Sequence, residues 1–385
     1  MTKVAMGKVL LVSCYFPPEA GGAPVVYENL LRYFDQDGVF VVAAQPRFRT
    51  SGSKLTCRVY RCLPLFLTRT RIAKLLQLLW IPVIVLVGSV VCKIHKIDRI
   101  LGTYPDTTFL ISSYLIHKLT GIPFYVYLHD TFVETQRETT LVYLAKFFQN
   151  RIFYSARKIF VISEGMSEYY KERYNLHTII IHHCLYKDYE FMLRDYMYSK
   201  NWEANRIVFT GGIYDMNIDA IKVMVETVNS IDNTKLCIST RWGAEAMKKL
   251  GNGSNNVEAL FLPDTNSVIE FQRRADILYL PLAFEPPWPD EIISVFPTKT
   301  VEYLVSGVPI LVHAPPSYFL TRFARREGFA FIVDQNDPLA LRKGIESLLK
   351  DESLRHELVR KAFITAQMFD GRKIAEYTKK HLFED

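Results

Sequence analysis

Apolar, β-branched runs alternate with segments of helical periodicity along almost the whole chain. In the first half this pattern predicts strands at 8–13, 39–44, 98–102, 124–129 and 158–162, separated by helices at 24–36, 71–96, 106–120 and 139–155. The pattern restarts at Arg206, with further strands predicted at 234–239, 257–261, 277–280, 309–312 and 329–332 and closing helices at 337–349, 351–366 and 370–382. Such alternation is typical of parallel sheets with helices on both faces.

The restart predicts an α/β protein with two Rossmann-like, doubly wound domains facing a cleft. We expect a first domain over 1–190 and a second over 191–365. A final helix, 366–385, is expected to pack back on the first domain. The length of 385 residues suits two domains of this size.

Positive charge is concentrated in the first half. Lys and Arg number 47 against 40 Asp and Glu in the whole chain, but residues 1–190 hold 23 basic and 14 acidic side chains. Between Asp37 and Asp98 there is no acidic residue, and ten cations lie there: Arg47, Arg49, Lys54, Arg58, Arg61, Arg69, Arg71, Lys74, Lys93 and Lys96. The imbalance predicts that this stretch faces an anionic partner.

An uncharged run, 75–92, lies inside this basic stretch and reaches the lower length limit of a membrane span. Three interpretations remain open: a transmembrane helix, a helix buried between the layers of an α/β core, and a helix partly sunk in a membrane surface. Cations on both sides and Trp80 as an interfacial anchor favour the third. We therefore expect contact with an anionic membrane surface.

The cysteines and the N-terminus indicate an intracellular protein. Six cysteines are too few for a disulfide framework in a chain of this length. The apolar run Val9–Val12 is too short for the core of a signal peptide. His182, His183 and Cys184 follow a strand-like run and are interpreted as ordinary packing, and no structural metal is predicted.

Two loops after strands of the first half have the composition of ligand sites. Gly21 and Gly22 precede a helix, where backbone amides and the helix dipole favour an anion. Neither a G-x-G-x-x-G fingerprint nor a P-loop is present, which argues against NAD enzymes and P-loop ATPases. His129 and Asp130 end the strand at 124–129, where a histidine can hydrogen-bond a substrate or exchange a proton.

The segment 296–311 predicts a nucleotide site. Pro297 suits the first position of a helix, and free amides around Thr298 together with the Lys299 ammonium would bind a phosphate. One turn later Glu302 can accept hydrogen bonds from a ribose diol. A diphosphate followed by a ribose is the outline of a nucleotide-sugar site.

The segments VLLVSCYFPPEAGGAP, RILGTYPDTTFLISSYLIHKLTGIPFYVYLHD, KIFVISEGM and FPTKTVEYLVSGVPIL resemble those of GT-B glycosyltransferases, specifically the family-4-like retaining enzymes. The resemblance spans nearly the whole chain. It implies metal-independent transfer of a sugar from a nucleoside diphosphate-sugar, with retained configuration and no cofactor besides this substrate. It also implies that the second domain binds the donor and the first the acceptor.

Residue by residue, the resemblance implies that Glu302 is the second Glu of the family's E-x7-E motif and holds the donor ribose. It places Lys299 and Thr298 at the diphosphate, Gly21 and Gly22 near the donor phosphates, and His129 near the transferred sugar.

The chain departs from the family pattern at two places. Ser294 replaces the first Glu of the motif, and Glu285, Asp290 and Glu291 on the preceding loop are candidates to supply that carboxylate. Gly211 and Gly212 stand where the family has an Arg and a Lys, which leaves Lys299, aided by Arg241, to neutralise the diphosphate.

These features together predict a cytoplasmic hexosyltransferase-type enzyme, peripherally associated with the inner face of the cell membrane. It would move a sugar to a glycan or lipid-linked acceptor in polysaccharide or glycoconjugate synthesis, and no nucleic-acid partner is expected. Two alternatives stay open: a catalytically degenerate GT-B binding subunit at the membrane, and a nucleotide-sugar epimerase.

Overall fold

The computed structural model describes residues 7–19, 21–46, 53–64, 76–185, 205–240, 243–250, 255–262 and 264–384. The chain forms two compact units. Unit 1 comprises Met1–Cys184 together with Gly371–Asp385, and unit 2 comprises Leu185–Asp370. The first boundary thus lies six residues before the expected end of the first domain at 190.

Unit 1 is built on a seven-stranded parallel sheet in the order β3-β2-β1-β4-β5-β6-β7. Its strands are β1 Val9–Ser13, β2 Val39–Gln45, β3 Arg58–Pro64, β4 Arg99–Tyr104, β5 Phe124–Leu128, β6 Lys158–Val161 and β7 Ile179–Ile180. The predicted strands do not include β3, and β7 falls in the strand-like run that precedes His182. Both are edge strands, and β3 carries two arginines, Arg58 and Arg61, instead of the uninterrupted apolar run typical of a central parallel strand.

The helices of unit 1 alternate with these strands: α1 Gly22–Leu31, α2 Ile81–His95, α3 Thr107–Thr120, α4 Thr139–Ser155 and α5 Glu164–Tyr174. Local chemistry sets their ends. Asp106 caps α3 by accepting a hydrogen bond from the Phe109 amide at 3.0 Å, and Gly121 ends that helix in the left-handed region. α1 is shorter than the helix expected over 24–36.

Helix α2 follows a 3-10 turn, Leu78–Trp80. One of its sides is packed: Gly88 lies against α3, so that an added Cβ would come within 2.3 Å of Ile116 Cδ1. Its last residue, His95, stacks on Phe40 at 4.4 Å. Among the described residues, Leu78–His95 is the one helical segment long and apolar enough to cross a membrane, and 28% of it is buried.

Unit 2 repeats the architecture with a six-stranded parallel sheet in the order β10-β9-β8-β11-β12-β13. Its elements are β8 Asn205–Thr210, α6 Ile218–Asn229, β9 Thr234–Ser239, α7 Gly243–Leu250, β10 Val257–Leu260, α8 Thr265–Arg273, β11 Ile277–Pro281, α9 Pro289–Ile292, α10 Lys299–Leu304, β12 Ile310–His313, α11 Phe319–Glu327, β13 Ala330–Val333, α12 Pro338–Lys350 and α13 Glu352–Ala366. Separate apolar clusters form two cores of this unit.

The last helix, α14 Gly371–Phe383, belongs to unit 1 and contacts α1. Its Leu382 side chain is buried in the core of unit 1. The Lys379 ammonium donates to the Tyr33 carbonyl, and Lys158 donates to the His381 carbonyl at 2.9 Å. A segment that is distant in sequence therefore completes unit 1.

Both sheets reverse their strand order beside their first strand: β1 lies between β2 and β4, and β8 lies between β9 and β11. In open parallel sheets, ligands bind beyond the carboxyl ends of the strands at such switch points. The loops after β1, β4, β8 and β11 therefore lie where a ligand is expected to bind.

Candidate functional site

At the switch point of unit 2, Lys299 lies against the glycine loop that follows β8. Gly211 has φ 127°, a conformation that favours glycine, and a Cβ at this position would come within 2.8 Å of the Lys299 ammonium nitrogen. The ammonium also lies 4.0 Å from the centroid of the Phe209 ring. The structure thus brings together two residues that the sequence predicted for the donor diphosphate.

The charge of Lys299 depends on its surroundings. Burial lowers the pKa of its ammonium from 10.5 to about 7, while the nearby Glu302 carboxylate opposes this shift. A lysine with this pKa is only partly protonated at neutral pH. An anionic ligand beside it would favour the ammonium form.

Glu302 is held on α10 one turn beyond the start of the helix. Its Oε2 accepts a hydrogen bond from Gln272 at 3.3 Å, and Gln272 also donates to the Thr210 hydroxyl at 3.1 Å. Burial raises the pKa of Glu302, opposed by Gln272 and Lys299. Gln272 thus links β8, α8 and α10. No local sequence pattern indicates this residue, because its contacts join segments that are far apart in the chain.

The expected phosphate seat of free amides is wrong in part. Helix α10 begins at Lys299, with Thr298 as its N-cap, so Pro297 is not its first residue. The Thr300 amide already donates to the Pro297 carbonyl at 2.9 Å. Lys299, rather than this short turn, therefore carries the positive charge of the site.

The acidic loop before α9 is pinned to the start of α6. One oxygen of Asp219 accepts hydrogen bonds from the amides of Phe284 and Glu285, both at 2.8 Å. The Glu285 side chain is exposed, and Ser294 is buried. The backbone of the loop is thus fixed, while the carboxylate of Glu285 is accessible to a ligand.

Two further residues predicted for this site have different outcomes. Gly212 lies in the turn before α6, where its carbonyl accepts a hydrogen bond from the Asn217 side chain at 3.0 Å. Arg241, expected to assist Lys299, lies outside the described residues.

In unit 1 the glycine loop lies between β1 and α1. Gly21, the N-cap of α1, has φ 144°, and Gly22 is the first residue of the helix. The preceding loop is held by Arg61 of β3, whose guanidinium donates to the carbonyls of Pro17 and, at 2.7 Å, Ala44. The expectation that Arg61 faces an anionic partner is therefore wrong, because its donors bind the protein's own backbone.

His129 follows β5 in an aromatic environment. Its ring lies 4.3 Å from Tyr127 and 5.2 Å from Tyr27, measured between centroids. His183 lies 6.3 Å away with its ring nearly perpendicular. Both ring nitrogens of His129 and the Nδ1 of His183 are buried without a hydrogen-bond partner. Asp130, the next residue after His129, is partly buried.

The two histidines are neutral at physiological pH. Burial, and next the repulsion between the two rings when both are protonated, lowers the pKa of His129 well below its usual range, and burial lowers the pKa of His183 to about 3. Neutral rings can donate or accept hydrogen bonds but supply no positive charge. The sequence pattern predicted ordinary packing for His183, and the two rings become neighbours only in the fold.

A polar cluster at the carboxyl end of β4 also escaped sequence analysis. The partly buried Asp106 carboxylate accepts a hydrogen bond from Gln77 at 2.8 Å, and loss of solvent around it raises its pKa. Beside it, Gln136 donates to the Tyr104 hydroxyl at 2.7 Å and accepts from Thr107 at 3.1 Å. The Asp-Thr-Thr sequence after a strand was the available signal, since it is typical of a helix N-cap.

Two parallel sheets of this topology, each covered by helices, define the GT-B fold. The predicted fold class and the resemblance to GT-B glycosyltransferases are confirmed. Residues 205–364, most of unit 2, match the family model described as "Glycosyl transferases group 1". No curated protein matches the sequence.

Solved structures similar to the whole chain agree with this fold. Sucrose-phosphate synthase from Thermosynechococcus elongatus matches with a TM-score of 0.70 and 18% identity, covering 97% of this chain and 98% of the other. Anabaena HepE in complex with UDP and glucose matches with a TM-score of 0.68 and 15% identity, covering 99% of this chain and 100% of the other. A protein from Listeria monocytogenes, provisionally described as a UDP-N-acetylglucosamine 2-epimerase, matches with a TM-score of 0.60 and 13% identity. The match covers 98% of each chain. These structures share the fold of the whole chain, and the family match adds similarity to glycosyl transferases over 205–364.

Proposed function

We propose that this protein is a retaining, metal-independent glycosyltransferase that moves a sugar from a nucleoside diphosphate-sugar to a glycan or lipid-linked acceptor at the membrane surface. The observation that carries this proposal is the packing of Lys299 on Gly211, one helical turn before Glu302. This arrangement suits a diphosphate and its ribose. HepE, a protein of the same fold, binds UDP and glucose, which supports a UDP-sugar as the first donor to test.

In the proposed mechanism, Lys299 stabilises the leaving diphosphate. The C1–oxygen bond to the donor phosphate breaks, and the acceptor oxygen bonds to C1 on the same face of the sugar. The acceptor proton passes to an oxygen of the departing phosphate. Lys299 is partly neutral when the site is empty, so binding of the anionic donor would complete its charge where the reaction needs it.

Glu302 and His129 have positioning roles in this proposal. The Glu302 carboxylate, oriented by Gln272, would accept hydrogen bonds from the ribose hydroxyls. The unpartnered ring nitrogens of His129 suit hydrogen bonds with sugar hydroxyls. A neutral imidazole is sufficient for this role, because a sugar hydroxyl that only donates or accepts a hydrogen bond develops no charge.

Unit 1 supports the membrane part of the proposal through α2. One side of this helix packs on the protein while its other side exposes apolar residues, a pattern typical of a helix lying in a membrane surface. A helix packed in this way is not surrounded by lipid, which argues against the transmembrane interpretation. We therefore propose peripheral association with the cytoplasmic face of the membrane.

Thermal unfolding of the purified chain with UDP, GDP, dTDP or CMP and their sugars, with Mg²⁺ or with EDTA, tests the donor site. A ligand that binds the folded state raises the melting temperature by mass action. We expect one nucleoside diphosphate to do so equally with Mg²⁺ and with EDTA. Lys299→Ala should abolish the rise, whereas Lys222→Ala, which removes an exposed lysine of unit 2, should keep it.

The same preparation separates the alternatives. A transferase releases the nucleoside diphosphate quickly only when acceptor is supplied. An epimerase forms a new sugar epimer without acceptor, an outcome that the shared fold of the Listeria protein makes worth measuring. The absence of any nucleotide-induced shift would overturn the proposal in favour of a degenerate binding subunit.

A further inference from the structure

Three helices of unit 1 form one continuous layer. α2 packs closely on α3, where Gly88 meets Ile116. α3 packs on α4, where the rings of Tyr114 and Phe148 meet edge to face at 6.1 Å. Right-handed crossovers place the three helices on the same face of the sheet. Their outer sides therefore form a single surface, which we call the outer helical face.

The outer helical face has no negative charge, because α2, α3 and α4 together contain no Asp or Glu. Helix α5, the next along the chain, differs in carrying three glutamates. The exposed cations of the face come from all three helices: Lys93, Lys118, Lys146 and Arg151. The three helices of the face thus carry only positive charge, and the glutamates of α5 lie beyond α4, where the rings of Phe153 and Tyr170 meet at 5.7 Å.

On the α2 side, the exposed positions form an apolar stripe. Leu79, Leu86 and Ile94 expose 66–71% of their surface, and Val83 and Val90 lie between them at helical spacing. Continuous exposed apolar surface of this kind is unusual in water and marks an interaction surface.

On the α4 side, the exposed residues are aromatic and basic. Tyr143, Phe147 and Tyr154 expose 54–81% of their surface, so most of each side chain is not packed against the protein. The Arg151 guanidinium stacks 3.7 Å from the centroid of the Phe147 ring. Aromatic rings combined with cations are typical of helices that lie at the boundary between lipid headgroups and acyl chains.

We propose that the outer helical face docks flat on an anionic lipid bilayer, with the α2 stripe and the α4 aromatic residues entering the lipid together. This inference rests on the membrane part of the proposed function and deepens it, since it adds α4 as a second point of contact and so fixes which face of unit 1 meets the bilayer. A second copy of the chain is a poorer occupant. A symmetric dimer would oppose cations to cations, with no acidic residue on α2, α3 or α4 to pair with them.

Sedimentation with lipid vesicles tests the docking surface. We expect the full chain to bind vesicles of equal parts phosphatidylcholine and phosphatidylglycerol, to bind pure phosphatidylcholine far less, and to dissociate at high salt. Tyr143→Ser, Phe147→Ser and Tyr154→Ser together should weaken binding by about tenfold or more. Leu86→Ser with Val90→Ser should weaken it comparably.

The matched control removes exposed apolar side chains from unit 2, Leu339→Ser with Ile364→Ser, and should bind vesicles like the parent. Circular dichroism and the nucleotide-induced thermal shift verify folding and are independent of lipid, so a failed donor site is distinguished from a failed surface. Full binding by the α4 variant overturns the proposal. Equal binding to neutral vesicles, or a dimer that the substitutions dissociate, overturns it as well.

Discussion

Lys299 gains its proposed role from burial rather than from its residue type. An exposed lysine stays protonated up to a pH well above neutral. Burial of Lys299, which lies over Phe209 and against Gly211, lowers its pKa to about 7. Since the family's additional cations are absent from the Gly211 loop, a single lysine would change its protonation as the donor binds.

This coupling predicts a pH dependence of donor affinity. An anionic donor stabilises the ammonium, so binding above pH 7 takes up a proton, and affinity falls as pH rises. Titration with UDP-glucose should show the dissociation constant rising by up to about tenfold per pH unit above pH 7. Lys299→Arg should remove the dependence, because arginine stays charged, and Lys222→Ala should leave it unchanged. A pH-independent affinity of the parent would contradict the coupling.

His183 is the second residue whose role appears only in the fold. It lies beside His129, and after burial it is the next cause that lowers the pKa of His129. Both histidines hold buried ring nitrogens without a hydrogen-bond partner, so these atoms are available to a polar ligand.

Substitution of His183 therefore has an expected signature. His183→Asn should raise the pKa of His129, measured by NMR of the histidine ring carbons, since a neighbouring group that disfavours its protonation is lost. Turnover with acceptor should fall by about tenfold, with donor affinity kept. His177→Asn, at an exposed histidine of the same unit, is the control. An unchanged pKa of His129 would show that the two rings are not coupled.

At the scale of elements, strand β3 shows how a charged edge strand supports a loop. Arg58 and Arg61 lie on the same strand, but Arg58 is exposed while Arg61 donates to the carbonyls of Pro17 and Ala44. The loop before Gly21 is therefore fixed by a side chain about forty residues later in sequence.

Removing this support should cost stability. Arg61→Met keeps the aliphatic stem but leaves partly buried carbonyls without their donor, so we expect the free energy of unfolding to fall by about 1–3 kcal/mol. Arg58→Met should change it by less than about 0.5 kcal/mol. Urea denaturation of both variants measures the difference. Equal effects would mean that Arg61 does not hold the loop.

At the scale of the whole molecule, the chain leaves unit 1 at Cys184 and returns to it at Gly371. Helix α14 then completes the core of unit 1 with residues from the opposite end of the sequence. The stability of unit 1 therefore depends on a segment that follows unit 2.

Truncating one buried side chain of α14 tests this dependence. Leu382→Ala should destabilise unit 1 by about 2–5 kcal/mol through lost burial and the cavity left behind. Calorimetry should show an earlier transition of unit 1, while the transition stabilised by UDP-glucose in unit 2 is kept. Tyr377→Ala, at an exposed position of the same helix, is the control. A shift of the nucleotide-stabilised transition instead would contradict this prediction, because it would mean that α14 stabilises unit 2.

The sequence by itself determined the α/β class, the two-unit GT-B architecture and the loops that carry Gly21, His129, Gly211 and Lys299. Apolar runs and helical periodicity are local signals that can be read from the sequence. In open parallel sheets, ligands bind beyond the carboxyl ends of the strands, so the loops that follow the predicted strands could be named as candidate sites. Pro297 was misplaced because a helix boundary depends on details of the turn.

Only the tertiary structure decided the state of those residues. It lowered the pKa of Lys299, set His183 beside His129, turned Arg61 inward and left α4 with an exposed aromatic side. The physical reason is common to all four. Burial, hydrogen bonding and exposure depend on contacts between residues that are far apart in sequence, and no local pattern records them.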